Sequence, residues 1–143
     1  MFKKDIYDLV DKKSKDAVVK FLNSRGIKAE AVEDYKIDIR VDGKPFAECE
    51  YRGGYWSGSK YPFSSIHVPK RKEKILQKNI HYFVLNKDYT YALYCQSSII
   101  IAHEAKEIPN TRYKSGEFFY DVPINRWHLI DLQSKETNVL QIF

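Results

Sequence analysis

The stretch YKIDIRVDGKPFAECEYR, residues 35–52, decides how this chain is read. From Tyr35 to Val41 the residues alternate: Tyr35, Ile37, Ile39 and Val41 on one side, Lys36, Asp38 and Arg40 on the other. That is the period of a β-strand. Asp42-Gly43 is a two-residue hairpin signal, since these residue types accept the positive φ that a tight turn needs. The return strand runs from Lys44 to about Arg52. It sets Phe46, Glu48, Glu50 and Arg52 on one face and Ala47, Cys49 and Tyr51 on the other, and Gly53-Gly54 ends it. The hairpin so defined gathers three carboxylates, Asp38, Glu48 and Glu50.

Outward from the hairpin the pattern is that of an α/β chain. Before it, Asp5 to Ser24 predicts a helix, with Ile6, Leu9, Val10, Ala17, Val18, Phe21 and Leu22 close to one apolar stripe. Gly26 stands at the natural stop, and Ile27 to Glu33 predicts a strand. After it comes a polar, aromatic loop through Trp56, Tyr61 and Phe63, then a short strand at Ser65 to Val68. Pro69 suits the first turn of a second helix reaching about Lys78. Tyr82 to Leu85, Thr90 to Cys95, Ser98 to Ala102, Glu117 to Val122 and Trp127 to Leu132 predict further strands, the last two parted by Pro123. The expected fold is α/β, a central mixed sheet with flanking helices, in one domain over 1–143.

Composition narrows the classes. The chain has 143 residues, 43% apolar and 30% charged, which is a globular balance. Its apolar runs, such as Ile99-Ile100-Ile101-Ala102, are far short of a membrane span. The start, Met1-Phe2-Lys3-Lys4-Asp5, has no apolar core of a secretory signal, so a cytoplasmic or otherwise intracellular location is expected. Cys49 and Cys95, the only cysteines, are then expected as free thiols. Net charge is +5, and Lys60, Lys70, Arg71, Lys72, Lys74 and Lys78 against Glu73 give one segment that whole excess. Such a segment is either a solvated helix face or a phosphate-binding face.

Three clustered carboxylates repel one another and are costly to desolvate, so a fold that keeps them covered needs a compensating cation. Mg²⁺, with Mn²⁺ as its substitute, takes oxygen ligands and commonly uses one or two carboxylates with waters and substrate phosphates. The other reading is a wet hairpin face carrying exposed cross-strand ion pairs.

Helix, Gly26, strand, then Asp38, a Gly turn and Glu48-Cys49-Glu50 resembles the core of the PD-(D/E)XK nuclease superfamily, over roughly Ser14 to Arg52 and more weakly Pro69 to Val84. The resemblance implies a restriction-endonuclease-like fold and phosphodiester hydrolysis of DNA, with RNA second. It implies Asp38 and Glu48 as Mg²⁺ ligands, the Cys49 backbone carbonyl completing the site, and the third motif position activating water. That position, usually lysine, is Glu50 here; some restriction-type members carry glutamate there as base or second-metal ligand. Lys36 would supply the displaced positive charge. Where the family often has a first-helix glutamate, Ser14-Lys15-Asp16 offers Asp16. Arg52, Lys60, His67, Lys70, Arg71 and Lys72 are the expected contacts to nucleic acid, with a helix dipole behind the last three. A homodimer would supply a second site for a second strand.

Tyr55, Trp56, Tyr61 and Phe63 either stack on bases or cap the core beneath their loop. His81, His103 and His128 lack zinc-ligand spacing, and no Gly-rich phosphate loop is present. Two rivals to the nuclease stand: a non-catalytic nucleic-acid-binding module of the same fold, and a protein-interaction subunit whose acids and bases are surface ion pairs.

Overall fold

The computed structural model describes residues 4–34, 36–108 and 116–134, with the side chains of 4–7 and 34 excepted. Tyr35 and Met1-Phe2-Lys3, used in the sequence reading, lie outside these residues, as does the Ile6 side chain.

Helix α1, Lys4–Ser24, is amphipathic, and Gly26 ends it at φ +84°. Strands β1 (Ala29–Asp34), β2 (Ile37–Val41) and β3 (Lys44–Tyr51) follow as an antiparallel meander. Next come β4 (Ser65–Pro69), a 3₁₀ turn at Lys70–Lys72 and one helical turn, α2 (Glu73–Leu76). The remainder is β5 (His81–Leu85), β6 (Tyr91–Gln96), α3 (Ser97–Ile101), β7 (Ala105–Ile108), β8 (Glu117–Pro123) and β9 (His128–Asp131).

Six strands form a mixed sheet in the order β1-β2-β3-β5-β6-β9. All its neighbours run antiparallel except β3 and β5, which pair in parallel from Ala47 opposite His81 to Tyr51 opposite Leu85. A parallel pair needs a crossover, and residues 52–80, carrying β4 and α2, make it over one face. A three-stranded sheet, β4-β8-β7, belongs to that same layer. Thus α1 covers one face through Val18, Phe21 and Leu22 against Ile39, Ala47, Cys49, Phe83 and Leu85. The other face packs Tyr82, Val84, Leu93 and Cys95 against Trp56, Ile66, Val68, Leu76, Ile100 and Val122. With both faces covered, β3 is a central strand; the reading of the hairpin as a wet surface does not hold.

Three expectations change. The strand expected at Ser98 to Ala102 is instead helix α3, Ser97–Ile101, with Ala102 as its C-cap. The β5–β6 ladder closes at His81 opposite Gln96, and Ile80 N–H then donates to Ser97 Oγ while Ser97 N–H donates to Ile80 C=O. Beyond that clasp no strand lies opposite, so burial of Ile100 overrides the β preference of three isoleucines. The second helix shrinks to one turn after a 3₁₀ start, so no helix dipole stands behind Lys70, Arg71 and Lys72. Strand β7 was not anticipated; its charged sequence pairs with β8 and, among the described residues, with no other strand. No helix among the described residues is long and apolar enough to cross a membrane.

Candidate active site

The β2–β3 turn has φ +52° at Asp42 and +73° at Gly43, and Val41 pairs with Lys44 and Arg40 with Pro45. Continued without interruption, this register would set Asp38 opposite Ala47. The next pair is instead Ile39 with Ala47, leaving Phe46 as the extra residue of a β-bulge. Paired residues share a face, so the bulge is what turns Asp38 toward Glu48. It also moves Phe46, expected beside the acids, to the α1 side, where its ring lies 4.5 Å from His81.

Beyond Ile39 the two strands part, and the Asp38 carboxylate fills the gap. Its Oδ2 accepts the Cys49 N–H at 2.8 Å, a position a ladder carbonyl would otherwise take. In an extended strand a residue's C=O points to the same side as its N–H, so the Cys49 carbonyl faces this gap too. Lys15, arriving from α1, lies 3.6 Å from Asp38 Oδ1 and 3.1 Å from Asp11, and donates to the Val32 carbonyl. Burial opposes the Lys15 charge, but Asp11 and Asp38 outweigh it and raise its pKa.

Glu48 is buried at 8% exposure and hydrogen-bonded to Asp38. Burial first, then the Asp38 hydrogen bond and charge, push its carboxyl up to about 9, with Lys72 pulling the other way. Raised this far, the Glu48 carboxyl is protonated at neutral pH in its covered place beside Asp38. From the opposite layer Lys72 reaches in, its Nζ 3.2 Å from Tyr82 Oη and over the Tyr82 ring. Burial works against this ammonium, yet the Tyr82 oxygen, Glu50 and Glu48 prevail and keep it protonated.

Glu50 is engaged by Arg52, whose Nε and Nη2 lie 2.7 and 2.6 Å from the same carboxylate oxygen. Arg52 Nη1 donates to Tyr55 Oη and Nη2 to the His67 carbonyl, both at 2.7 Å. Every guanidinium nitrogen therefore donates within the protein, and Arg52, expected on a phosphate, is a bracket tying β3 to the following loop and to β4.

The other expected residues are dispersed. Asp16 pairs with Lys12 at 3.0 Å on the exposed side of α1, so Lys15 and not Asp16 is the helix residue that reaches the site. Lys36 is exposed at the turn before β2. His67 faces Asp121 at 3.3 Å, and Arg71 pairs with Glu117 at 3.1 Å. Lys60 and Lys70 are exposed. Of the basic segment only Lys72 enters the site. Lys15, Asp11 and Tyr82 were missed; the Asp11–Lys15 spacing of four on a helix was the available signal for the first two.

Two carboxylates and one carbonyl are a hard, all-oxygen donor set suited to Mg²⁺, which keeps several waters of its own. No group of three or more His, Cys, Asp or Glu side chains converges on one point among the described residues. No protein-family model, curated protein or solved structure matches the chain.

Proposed function

We propose that this protein is a metal-dependent nuclease hydrolysing phosphodiester bonds, DNA before RNA, with a restriction-endonuclease-like core similar to the PD-(D/E)XK superfamily. The observation that carries the reading is the covered Asp38–Glu48 pair with the half-buried Lys72, its Nζ 3.2 Å from Tyr82 Oη, facing it from the opposite layer. Asp38, Glu48 and the Cys49 carbonyl would hold Mg²⁺. When bound, the ion supplies an acidified water and neutralises charge on the phosphate. Lys72, held protonated, offers a fixed positive charge to the phosphate oxygens during attack rather than serving as a base. Lys15 and the Cys49 N–H orient Asp38. Glu50, engaged by Arg52, fixes the loop and the field around Lys72. The hydrolysis consumes one water: a bond forms from its oxygen to phosphorus, the ester bond breaks, and the proton leaves with the departing alcohol.

The Glu50–Arg52 pair also favours a second reading, a nucleic-acid-binding module of the same fold without turnover, since it occupies the residue at the water-activating position. One experiment separates the two. Labelled DNA and RNA are incubated with Mg²⁺ or Mn²⁺ and the wild type, Asp38→Asn or Glu48→Gln. Metal-dependent cleavage lost in both variants supports the nuclease. Metal-independent binding without cleavage supports the module and defeats the nuclease.

A further inference from the structure

The loop after β3 separates its four aromatic residues into two roles. Trp56 is fully buried and caps the core, its backbone N–H donating to the Arg52 carbonyl and its own carbonyl accepting the Lys87 N–H. Tyr55 and Phe63 are 43% and 55% exposed. With Tyr61 they form an edge-to-face group, ring centroids 5.1 Å apart for Tyr55–Phe63, 6.1 Å for Tyr55–Tyr61 and 5.9 Å for Tyr61–Phe63. Tyr61 in turn meets Trp56 at 5.5 Å, so the group stands on the core.

Its conformation is set before any partner arrives. Asn86 Nδ2 donates to the Gly58 carbonyl, and Gly58 takes φ +72°. The Tyr55 hydroxyl accepts from Arg52 at 2.7 Å and lies 3.4 Å from that of Tyr61. Arg52 joins this hydroxyl to Glu50, so the exposed rings stand one guanidinium away from Glu50, two residues along β3 from Glu48. Fixed, exposed aromatic faces are costly in water and suit flat π partners.

We infer that Tyr55, Tyr61 and Phe63 form a stacking platform for an unpaired nucleobase, and that the substrate is therefore single-stranded, or carries a single-stranded end or flap, at the position being cut. This rests on the reading of Asp38 and Glu48 as a phosphodiester site. The occupant is chosen by charge: the loop carries exposed Lys60, and Lys70, Lys74 and Lys78 are exposed along the segment that follows. An acid-bearing polymer with exposed ring faces matches both features, whereas bases inside a duplex present only their edges.

The test is equilibrium binding in EDTA, with fluorescence anisotropy of a labelled single strand, the same strand made abasic, and its blunt duplex. The expected result is at least tenfold tighter binding of the single strand than of the duplex or the abasic strand. Phe63→Ala and Tyr55→Ala each lower single-strand affinity about 10- to 100-fold, and Tyr55→Phe, which keeps the ring, restores it. Phe63→Ala sits at an exposed position, so it tests the platform even if Tyr55→Ala fails to fold. Equal affinity for all three probes, unchanged binding by Phe63→Ala, or binding of none of them overturns the platform. Cleavage is not read here; a protein that cuts duplex in a metal-dependent way but fails this assay loses the platform and keeps the nuclease reading.

Discussion

Asp38 and Glu48 face each other because Phe46 is counted out of the ladder between them. The turn at Asp42-Gly43 alone would have aimed Asp38 at Ala47 and the α1 side. One bulged residue converts two carboxylates on opposite faces of a sheet into a pair on one face. The energetic consequence is large, because Glu48 is both covered and beside a second acid.

The first prediction concerns that proton. Glu48 has its folded pKa raised to about 9 from 4.5, so between these values the folded state binds more protons than the unfolded one. Stability from this group is complete below pH 4.5 and is lost as pH rises toward 9, at no more than about 1.4 kcal/mol per pH unit. Chemical denaturation between pH 7 and 9 should show a falling midpoint, flattened in Glu48→Gln. Millimolar Mn²⁺ should restore the wild type and leave Glu48→Gln less affected. A midpoint independent of pH and of metal would remove the basis for the cation site.

At acid pH a different group governs. His81 is lowered from 6.5 to about 4 by burial, and its Nδ1 lies 2.6 Å from Tyr94 Oη. Its neutral form is the one the fold holds. Its contribution is therefore present above pH 6.5 and lost as pH falls through 4. NMR should find the His81 ring neutral at pH 5.5, and His81→Gln should flatten the stability profile between pH 6.5 and 4. A ring that charges near pH 6.5 contradicts the placement.

The sequence reading and the structure part company for identifiable reasons. The order α1, β1, β2, β3 was legible because Ile37, Ile39 and Val41 alternate with charged residues in sequence and Asp42-Gly43 announces the turn; the expectation that they share one side fails at Ile37, which packs in the crossover-side core while Ile39 packs under α1. Pro45 was a legible hint of the bulge, since a proline inside a sheet is confined to edges, strand starts and bulges. It points to an irregularity without saying which residue is left over; the parallel pairing of β3 with β5 decides that. Lys72 was read as a surface phosphate contact because charge runs lie on wet faces in most proteins. Only the crossover over β3 and β5 carries it to Tyr82. Arg52 looked free for the same reason: the Tyr55 hydroxyl and the His67 carbonyl that engage it are contributed by tertiary placement.

The first helix supplies a contrast between neighbours. Asp16 pairs with Lys12 in the open, with side chains 55% and 72% exposed, and such pairs are worth well under about 1 kcal/mol. Asp16→Ala should leave stability nearly unchanged and divalent affinity the same. Lys15 stands 3.6 Å from Asp38 and, on the proposed reading, would compete with a cation for that carboxylate. Lys15→Met should therefore destabilise the metal-free protein and tighten Mn²⁺ binding. Titration calorimetry reads both variants; weaker Mn²⁺ binding in Lys15→Met would show that the lysine supports the cation site by positioning rather than opposing it by charge.

The basic segment divides in the same way, between a lysine inside the site and its neighbours outside. Lys72 is half-buried beside Glu48 and Glu50, while Lys70 is exposed. On the proposed nuclease reading, Lys72→Met removes a fixed charge that would face the developing negative charge, so kcat should fall about 10²- to 10³-fold with a smaller change in substrate affinity. It should also raise the Glu48 pKa further, moving the loss of stability to higher pH, because Lys72 is the charge that now pulls it down. Lys70→Ala should do the opposite: kcat stays near wild type while binding weakens uniformly across sequences and the slope of log affinity against log salt falls by about one. Single-turnover kinetics and a salt titration separate the two outcomes. If Lys72→Met lowers only affinity and salt slope, as Lys70→Ala does, the lysine is a phosphate contact at the surface of the reaction, and the covered Asp38–Glu48 pair acts without it.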